Sequence, residues 1–306
     1  MISNFLFHRV SPERDRLWDP MDVALFDRCV AYINRNYKVR LLEDLVLSTD
    51  LHRNEKFATI QFDDGYKDNI DYAAPILARY GCKASFYVVT DSIDQNLPTW
   101  THILEYQFQH TKVIAIDLRF DFLPADLHTT GLPTAEARIA YVRRLKPQLK
   151  HLSHEDRQRV MDRIAQTYTD VEIPRIMMDW DDLRKLKAAG HYISSHTVTH
   201  CMLGTMTDEN QIRSELATSA RKIEAQLGHR PLTISYPIGS YNDTTIRLSR
   251  EAGYEIGLAV KQRQYNPATD TIFEIPRIEL YNESWWKTKM RITNILERIK
   301  TTIGYK

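Results

Sequence analysis

The sequence predicts an α/β domain in which strands and helices alternate along most of its 306 residues. Short apolar runs such as 57–62 and 84–89 are typical of buried strands, and amphipathic segments after them end at glycines such as Gly81 and Gly190. Polar clusters follow two of the predicted strands directly. Repeated strand–helix units favour a parallel sheet or a barrel, in which functional side chains collect at the carboxyl ends of the strands.

The individual elements follow from hydrophobic periodicity and capping residues. The predicted strands cover 57–62, 84–89, 191–195, 232–236, 255–260 and 273–280. The predicted helices between them cover 69–80, 181–190, 207–228 and 243–252. Asp181 and Thr207 are the expected N-caps of the second and third of these helices, since short polar side chains accept hydrogen bonds from the first free amides.

Two segments depart from this alternation. Residues 91–174 are polar and contain predicted helices over 134–146 and 153–168, so we interpret them as an insertion or lid within a single domain spanning 1–306. The tail over about 283–303 combines Trp285, Trp286 and aliphatic residues with many lysines and arginines. This pattern predicts an amphipathic helix that either packs on the barrel or contacts a membrane surface.

Composition excludes some classes of function. The chain has 41 lysines and arginines against 40 aspartates and glutamates, a net charge of +1, which gives no electrostatic basis for binding nucleic acid. Its three cysteines form no CxxC pair, so we expect buried thiols and neither a disulfide framework nor a thiolate zinc site. Without a signal-peptide pattern or an apolar run of roughly 18 residues, we expect a cytoplasmic protein, which would be membrane-peripheral if the tail helix contacts a membrane.

The most distinctive segment is Asp63-Asp64-Gly65, which directly follows the predicted strand 57–62. Adjacent carboxylates repel each other and are costly to desolvate, so core packing gives no reason for them. Asp-Asp-Gly is also a common turn sequence. A metal ion or a shared proton would explain such a pair at a strand end.

A second polar cluster, His196 and His200, follows the predicted strand 191–195. Because Thr197 follows the first histidine, the motif is not the His-Glu-x-x-His metalloprotease helix, and the pair alone is compatible with an ordinary strand edge. Together, the two clusters indicate one carboxylate and two imidazoles on a divalent cation. Such a ligand set leaves positions open for water and substrate.

These motifs resemble those of the NodB-type polysaccharide deacetylases, carbohydrate esterase family 4. The segments 62–65 and 196–200 are similar to the first two family motifs, and Ser-Tyr-Pro-Ile-Gly at 235–239 to the third. The Tyr-Pro-x-Gly form is closest to the poly-N-acetylglucosamine deacetylase branch. Further similarity lies at 7–10, 180–183 and 190–195, so the resemblance covers about residues 5–280 apart from the insertion.

The resemblance implies a distorted (β/α)7 barrel and metal-dependent hydrolysis of N-acetyl groups on an N-acetylhexosamine glycan or a biosynthetic intermediate of one. Residue by residue, Asp64, His196 and His200 would ligate a divalent metal ion, foremost Zn²⁺. Asp63 would be the general base. An O-acetyl esterase with the same metal chemistry and a catalytically impaired carbohydrate-binding homologue are the alternatives, and the retention of Asp63 argues against the latter.

The sequence departs from the family pattern at two points. Ser235 stands near the position of an arginine that pairs with the catalytic aspartate, and we propose that Arg277 supplies this charge; a surface arginine is the alternative. The late Leu-x-His that supplies the general acid is not evident. His8 is our first candidate for this acid and Glu279 the second, although either could be structural.

Four further residues are candidates for binding substrate. The resemblance suggests the backbone amide of Tyr236 as a donor to the oxyanion, with Pro237 shaping the loop. Trp100 and Tyr241 are candidates for stacking on a sugar ring, because aromatic faces suit the apolar faces of pyranoses. The expected partner is therefore a glycan that contains N-acetylated sugars.

Overall fold

The structure is a computed structural model that describes residues 1–47 and 55–295. Its main sheet is parallel and curled, with helices packed outside it, which confirms the predicted α/β class. None of the helices within these residues is both long and apolar enough to cross a membrane.

Parallel strands form the wall of a barrel. The strands are β1 (Ile2–Phe7), β2 (Lys38–Val39), β3 (Phe57–Asp64), β4 (Ser85–Val88), β5 (Ala115–Asp117), β6 (Thr129–Gly131), β7 (Tyr192–Ser195), β8 (Thr233–Ser235), β9 (Ile256–Leu258) and β10 (Ile278–Glu279). The sheet order is β10-β1-β3-β4-β7-β8-β9, with the short β2 beside the start of β3, and β5 and β6 form a separate antiparallel pair. Within residues 1–47 and 55–295, seven strands thus make the wall, as the barrel prediction requires.

One short segment closes the barrel. Ile275 pairs in parallel with Leu258 of β9, and three residues later Ile278 pairs with Phe5 of β1. The predicted strand 273–280 is therefore split, because its first part belongs to one end of the sheet and its last part to the other. This crossing places the residues between them, including Arg277, at the seam of the barrel.

The helices surround this wall. They are α1 (Val23–Asn36), α2 (Leu42–Leu47), α3 (Ala74–Arg79), α4 (Thr90–Gln95), α5 (Trp100–His110), α6 (Ala135–His151), α7 (His154–Thr167), α8 (Trp180–Ala188), α9 (Glu209–Leu227), α10 (Asp243–Glu251) and α11 (Trp285–Ile292). The N-caps of α8 and α9 are Asp179 and Asp208, so the expected caps Asp181 and Thr207 each miss by one or two residues. A capping box in α8 explains the first shift, because Asp179 and Asp182 satisfy each other's free amides.

Aromatic rings fill the core beneath the first predicted motif. Phe62 stacks on Phe86 and Phe7, with ring centroids 4.9 and 5.5 Å apart, in a fully buried cluster. The three cysteines are all free and buried, as predicted. This packing fixes the strand whose next two residues are Asp63 and Asp64.

The segment 91–174 has its own apolar cluster, formed mainly by α5, α6 and α7. The helix predicted over 134–146 continues through Pro147 to His151, because Leu145 and Leu149 on either side of the proline are buried in this cluster. On the barrel side, His102 Nδ1 of α5 lies 3.2 Å from Tyr66 Oη. The segment is thus attached close to the end of β3.

The helix predicted over 283–303 corresponds to α11, which ends earlier, at Ile292, followed by a turn at Thr293 and Asn294. Trp285 packs inward against Tyr32 of α1, with ring centroids 5.6 Å apart. Residues 296–303 of the prediction lie outside the described residues.

Candidate metal and catalytic site

The site lies where β3 and β7 end, on either side of β4. Asp63 and Asp64 are the last residues of β3, and His196 directly follows β7. Asp64 and His200 have positive φ angles of 75° and 58°, an uncommon conformation for residues other than glycine. Such strain persists where the surroundings hold the chain in place, and here both turns aim a polar side chain at one point.

Three ligand-type atoms converge at that point. Oδ1 of Asp64 lies 3.3 Å from Nε2 of His200 and 3.5 Å from Nε2 of His196, and all three atoms fall within 4.8 Å of one another. Oδ1 of Asp64 is buried and has no hydrogen-bond partner among the described residues. A divalent cation would satisfy this oxygen, so the residues present fit a metal site.

The protonation states of the triad Asp64, His196 and His200 also suit a metal site. Nδ1 of His196 lies 2.8 Å from the carbonyl oxygen of Ser235, which accepts its proton and leaves Nε2 free as a ligand. Burial lowers the pKa of His200 to about 3, so this imidazole is neutral. Although burial opposes it, the carboxylates of Asp63 and Asp64 raise the pKa of His196, so a cation here would compete with a proton.

Asp63 is held by the ion pair that the sequence predicted. Nη1 of Arg277 donates to Oδ1 of Asp63 at 2.8 Å, with side-chain exposures of 0% and 3%. Ser235 donates to the other oxygen at 3.1 Å, and Nε of Arg277 donates to the carbonyl of Ala259 at 3.2 Å. Burial would raise the pKa of Asp63, but Arg277 and His196 hold it below its usual value, so it is a carboxylate.

A cavity of about 240 Å³ contains these groups. It is lined by His8, Trp18, Asp63, Asp64, Thr101, Lys146, Lys150, His196, His200, Ile238, Val260 and Glu279. Both candidates for the general acid are therefore present, and Nδ1 of His8 lies 3.5 Å from Oε1 of Glu279. Arg277 does not line the cavity and contacts Asp63 from the protein interior.

The candidates from the third motif lie elsewhere. Tyr236 is fully buried, stacks on Tyr241 with ring centroids 4.8 Å apart, and its backbone amide already donates to the carbonyl of Leu258 at 3.2 Å. Pro237 is also buried. Oη of Tyr241 donates to Glu274 at 2.7 Å. None of the three lines the cavity. The chain turns sharply after β8, and the residue that lines the cavity is the one that follows Pro237.

That residue is Ile238, which lines the cavity with a φ of 59°. A β-branched residue at positive φ is a genuine outlier, and the following Gly239 is also at positive φ. The strained turn thus places Ile238 at the wall of the site.

Trp100 is also outside the cavity. Its ring packs against the apolar cluster of the segment 91–174, under the guanidinium of Arg157 at 5.4 Å. The aromatic residue at the site is Trp18, in the loop after β1 and 5.4 Å from the ring of His8. A sequence signal could have identified Trp18, because it lies in the loop that follows β1, at the carboxyl end of the sheet.

Comparison with known proteins agrees with this geometry. The family model described as polysaccharide deacetylase matches residues 50–257, more than half of the chain. YxkH of Bacillus subtilis (strain 168), whose name places it in the same family, is 23% identical over 217 residues, which are 71% of this chain and 49% of YxkH. The chain thus spans about half the length of this curated relative.

Solved structures share the fold. The deacetylase PplD from Streptococcus pyogenes superposes with a TM-score of 0.62 at 18% identity, over 97% of this chain and 96% of PplD. A de-N-acetylase from Aggregatibacter actinomycetemcomitans gives 0.61 at 16% identity, over 95% and 99%. IcaB from Ammonifex degensii gives 0.60 at 15% identity, over 95% and 96%. The chain belongs to the polysaccharide deacetylase family.

Proposed function

We propose that this chain is a metal-dependent deacetylase that removes N-acetyl groups from an N-acetylhexosamine glycan or a biosynthetic intermediate of one. The observation that carries the proposal is the convergence of Asp64, His196 and His200 beside a carboxylate, Asp63, that does not belong to the ligand cluster. Two structural neighbours support the choice of reaction, since one is described as a de-N-acetylase and PplD was solved in complex with acetate.

Asp64 through Oδ1, and His196 and His200 through Nε2, would hold the cation. Two imidazole nitrogens and one carboxylate oxygen suit Zn²⁺. When bound, the ion would lower the pKa of water and polarise the acetyl carbonyl. Because the three side chains are supplied by two turns fixed by the barrel, the ligand set is preorganised.

Asp63 is our candidate for the general base. Its Oδ2 lies 3.9 Å from Nε2 of His196, so the carboxylate borders the ligand cluster. Arg277 and Ser235 fix its orientation, which leaves it to accept a proton from the attacking water. The departure of Ser235 from the family pattern is thus compensated by an arginine from the barrel seam.

Stabilisation of the oxyanion needs a donor that faces the cavity. The amide of Tyr236 donates to Leu258, so we assign this role instead to the amide of Ile238, the cavity-lining residue that follows Pro237. The surrounding barrel would maintain the strained, positive φ of Ile238 and thereby hold that amide in place.

His8 is our candidate for the acid that protonates the departing amine. It lines the cavity, and Glu279 is close enough to orient its ring when Nδ1 carries a proton. Oε2 of Glu279 accepts from Oη of Tyr281 at 2.6 Å, which holds that carboxylate in turn. We therefore assign Glu279 to positioning.

Acetate release from chitooligosaccharides and from acetylated xylan separates the candidate functions. We expect the Zn²⁺-loaded protein to release acetate from chitooligosaccharides, while Asp63→Asn does not. Faster release from acetylated xylan would favour the O-acetyl esterase. Release from neither, with carbohydrate binding retained, would favour the impaired homologue.

The tail helix is our candidate for a membrane contact. Trp286 is 71% exposed beside Lys287 and Lys289, while Trp285 faces inward. An exposed tryptophan next to basic residues suits an anionic lipid surface and the expected cytoplasmic, membrane-peripheral location. Trp286→Ala should reduce cosedimentation with phosphatidylglycerol vesicles, whereas Tyr72→Ala, at another exposed aromatic, should not. Equal cosedimentation of the two variants would refute the contact.

A further inference from the structure

Two lysines of the insertion reach the catalytic cavity. Lys146 and Lys150 lie one turn apart on α6, so they share a helix face, and both line the cavity that contains the metal-ligand triad. The insertion that carries them is attached to the end of β3 through His102 and Tyr66. The basic wall is therefore a fixed part of the site.

The two lysines differ in their partners. Nζ of Lys146 forms an ion pair with Oε1 of Glu105 at 2.7 Å, and this carboxylate is 8% exposed. Lys150 is half-buried and has neither a hydrogen bond nor an ion pair among the described residues. Burial, followed by the charge of Lys146, lowers the pKa of Lys150, although the charges of Glu105 and Glu279 act in the opposite direction.

The acidic side chains of the cavity already have other partners. Asp63 is paired with Arg277, Asp64 belongs to the ligand cluster, and Glu279 lies beside His8 and accepts from Tyr281. A half-buried ammonium group without a partner is unfavourable unless a ligand supplies the opposite charge.

We propose that Lys150, supported by Lys146, binds an anionic group, a carboxylate or a phosphate, on the sugar that this site deacetylates. The inference rests on the proposed function and narrows its substrate class. A cavity of about 240 Å³ is small beside the roughly 300–1,000 Å³ of typical ligand pockets. A sugar whose acetyl group meets the triad would therefore carry the anionic group on the same unit or on the next one.

Calorimetric titration of the full chain tests this assignment without relying on turnover. The Zn²⁺-loaded Asp63→Asn protein is titrated with a neutral methyl glycoside of N-acetylglucosamine, with N-acetylglucosamine 1-phosphate and with N-acetylglucosaminuronic acid. We expect at least one anionic sugar to bind about tenfold or more tightly than the neutral one, because charge-assisted hydrogen bonds to a lysine are strong. The tighter of the two identifies the group as phosphate or carboxylate.

Further substitutions in the Asp63→Asn protein test whether Lys150 causes the preference for anionic sugars. Lys150→Met should remove the preference, with neutral-sugar affinity unchanged within about twofold, and Lys150→Arg should restore it. Lys287→Met, at an exposed helical lysine, is the matched control and should leave the preference intact. If the anionic group binds the metal directly, Lys150→Met will still bind the anionic sugar more tightly than the neutral one, and this result would overturn the assignment. The assignment would also be overturned if neither anionic sugar binds, or if neither binds more tightly than the neutral sugar.

The wild-type protein separates this inference from the proposed function. Acetate release from neutral chitooligosaccharides without any preference for anionic sugars would refute the anionic subsite alone. Binding of anionic sugars through Lys150 with no acetate release from any N-acetylated substrate would refute the deacetylase and leave the binding site.

Discussion

The ion pair between Arg277 and Asp63 offers the sharpest test of the site. Replacement of Arg277 by methionine keeps an unbranched apolar chain of similar length but removes the charge. Both partners are almost completely excluded from solvent, at 0% and 3% exposure, so water cannot replace the guanidinium. The substitution also removes the donor to the carbonyl of Ala259.

The expected magnitude follows from these contacts. Leaving one partner of a buried ion pair uncompensated costs about 3–5 kcal/mol of unfolding free energy. The hydrogen bond to Ala259 accounts for about 1 kcal/mol of that total. In an Asp63→Asn background the carboxylate that pairs with Arg277 is absent, so Arg277→Met should cost about 1 kcal/mol or less. The two backgrounds should therefore differ by at least about 2 kcal/mol.

Urea denaturation of the four proteins, with a chelator present, measures this difference without a contribution from metal binding. A cost of Arg277→Met that is equal in both backgrounds within about 0.5 kcal/mol would show that Arg277 and Asp63 are not coupled and would contradict the ion pair. With metal restored, we expect acetate release by Arg277→Met to fall at least about 100-fold, which corresponds to about 2.7 kcal/mol of transition-state stabilisation. Wild-type activity would contradict its positioning role.

Three other predictions test the division of roles and the surrounding charges. Asp63→Asn should abolish turnover while elemental analysis still finds near-stoichiometric metal; loss of the metal would place Asp63 among the ligands. Asp64→Ala and His196→Ala should each lose the metal, and unchanged metal content would contradict the ligand assignment. Burial raises the pKa of Asp68 to about 6 despite its ion pair with Arg9, so its protonated form stabilises the fold below about pH 4, and this contribution is lost as the pH rises through about 6. Denaturation between about pH 4 and pH 7 should show wild type losing up to about 3 kcal/mol relative to Asp68→Asn, and parallel curves would contradict this.

The alternation of strands and helices and the two polar motifs could be read from the sequence because both are local. A buried strand needs a continuous apolar run, and a turn at its end needs only the few residues that follow. The sequence therefore predicts the correct strand ends for Asp64 and His196. The parallel sheet then brings these ends to one rim, so their proximity followed from the fold class.

The residues around the triad depend on contacts between distant parts of the chain. The missing family arginine points to Arg277, but its pairing with Asp63 exists because the segment 275–279 crosses from β9 to β1. The turn after β8 buries Tyr236 and places Ile238 at the cavity, because the backbone of Ile238 adopts a positive φ.

The α/β class, the strand ends and the Asp-Asp and His-x-x-x-His motifs follow from the amino-acid sequence, because short-range periodicity and turn chemistry encode them. Which side chains face these motifs depends on the tertiary fold. Lys146 and Lys150 give no local signal of function, since a helix with exposed lysines looks the same on any surface. Their role depends on how the apolar cluster of the insertion orients α6 against the barrel, and such long-range packing has no counterpart in local sequence pattern.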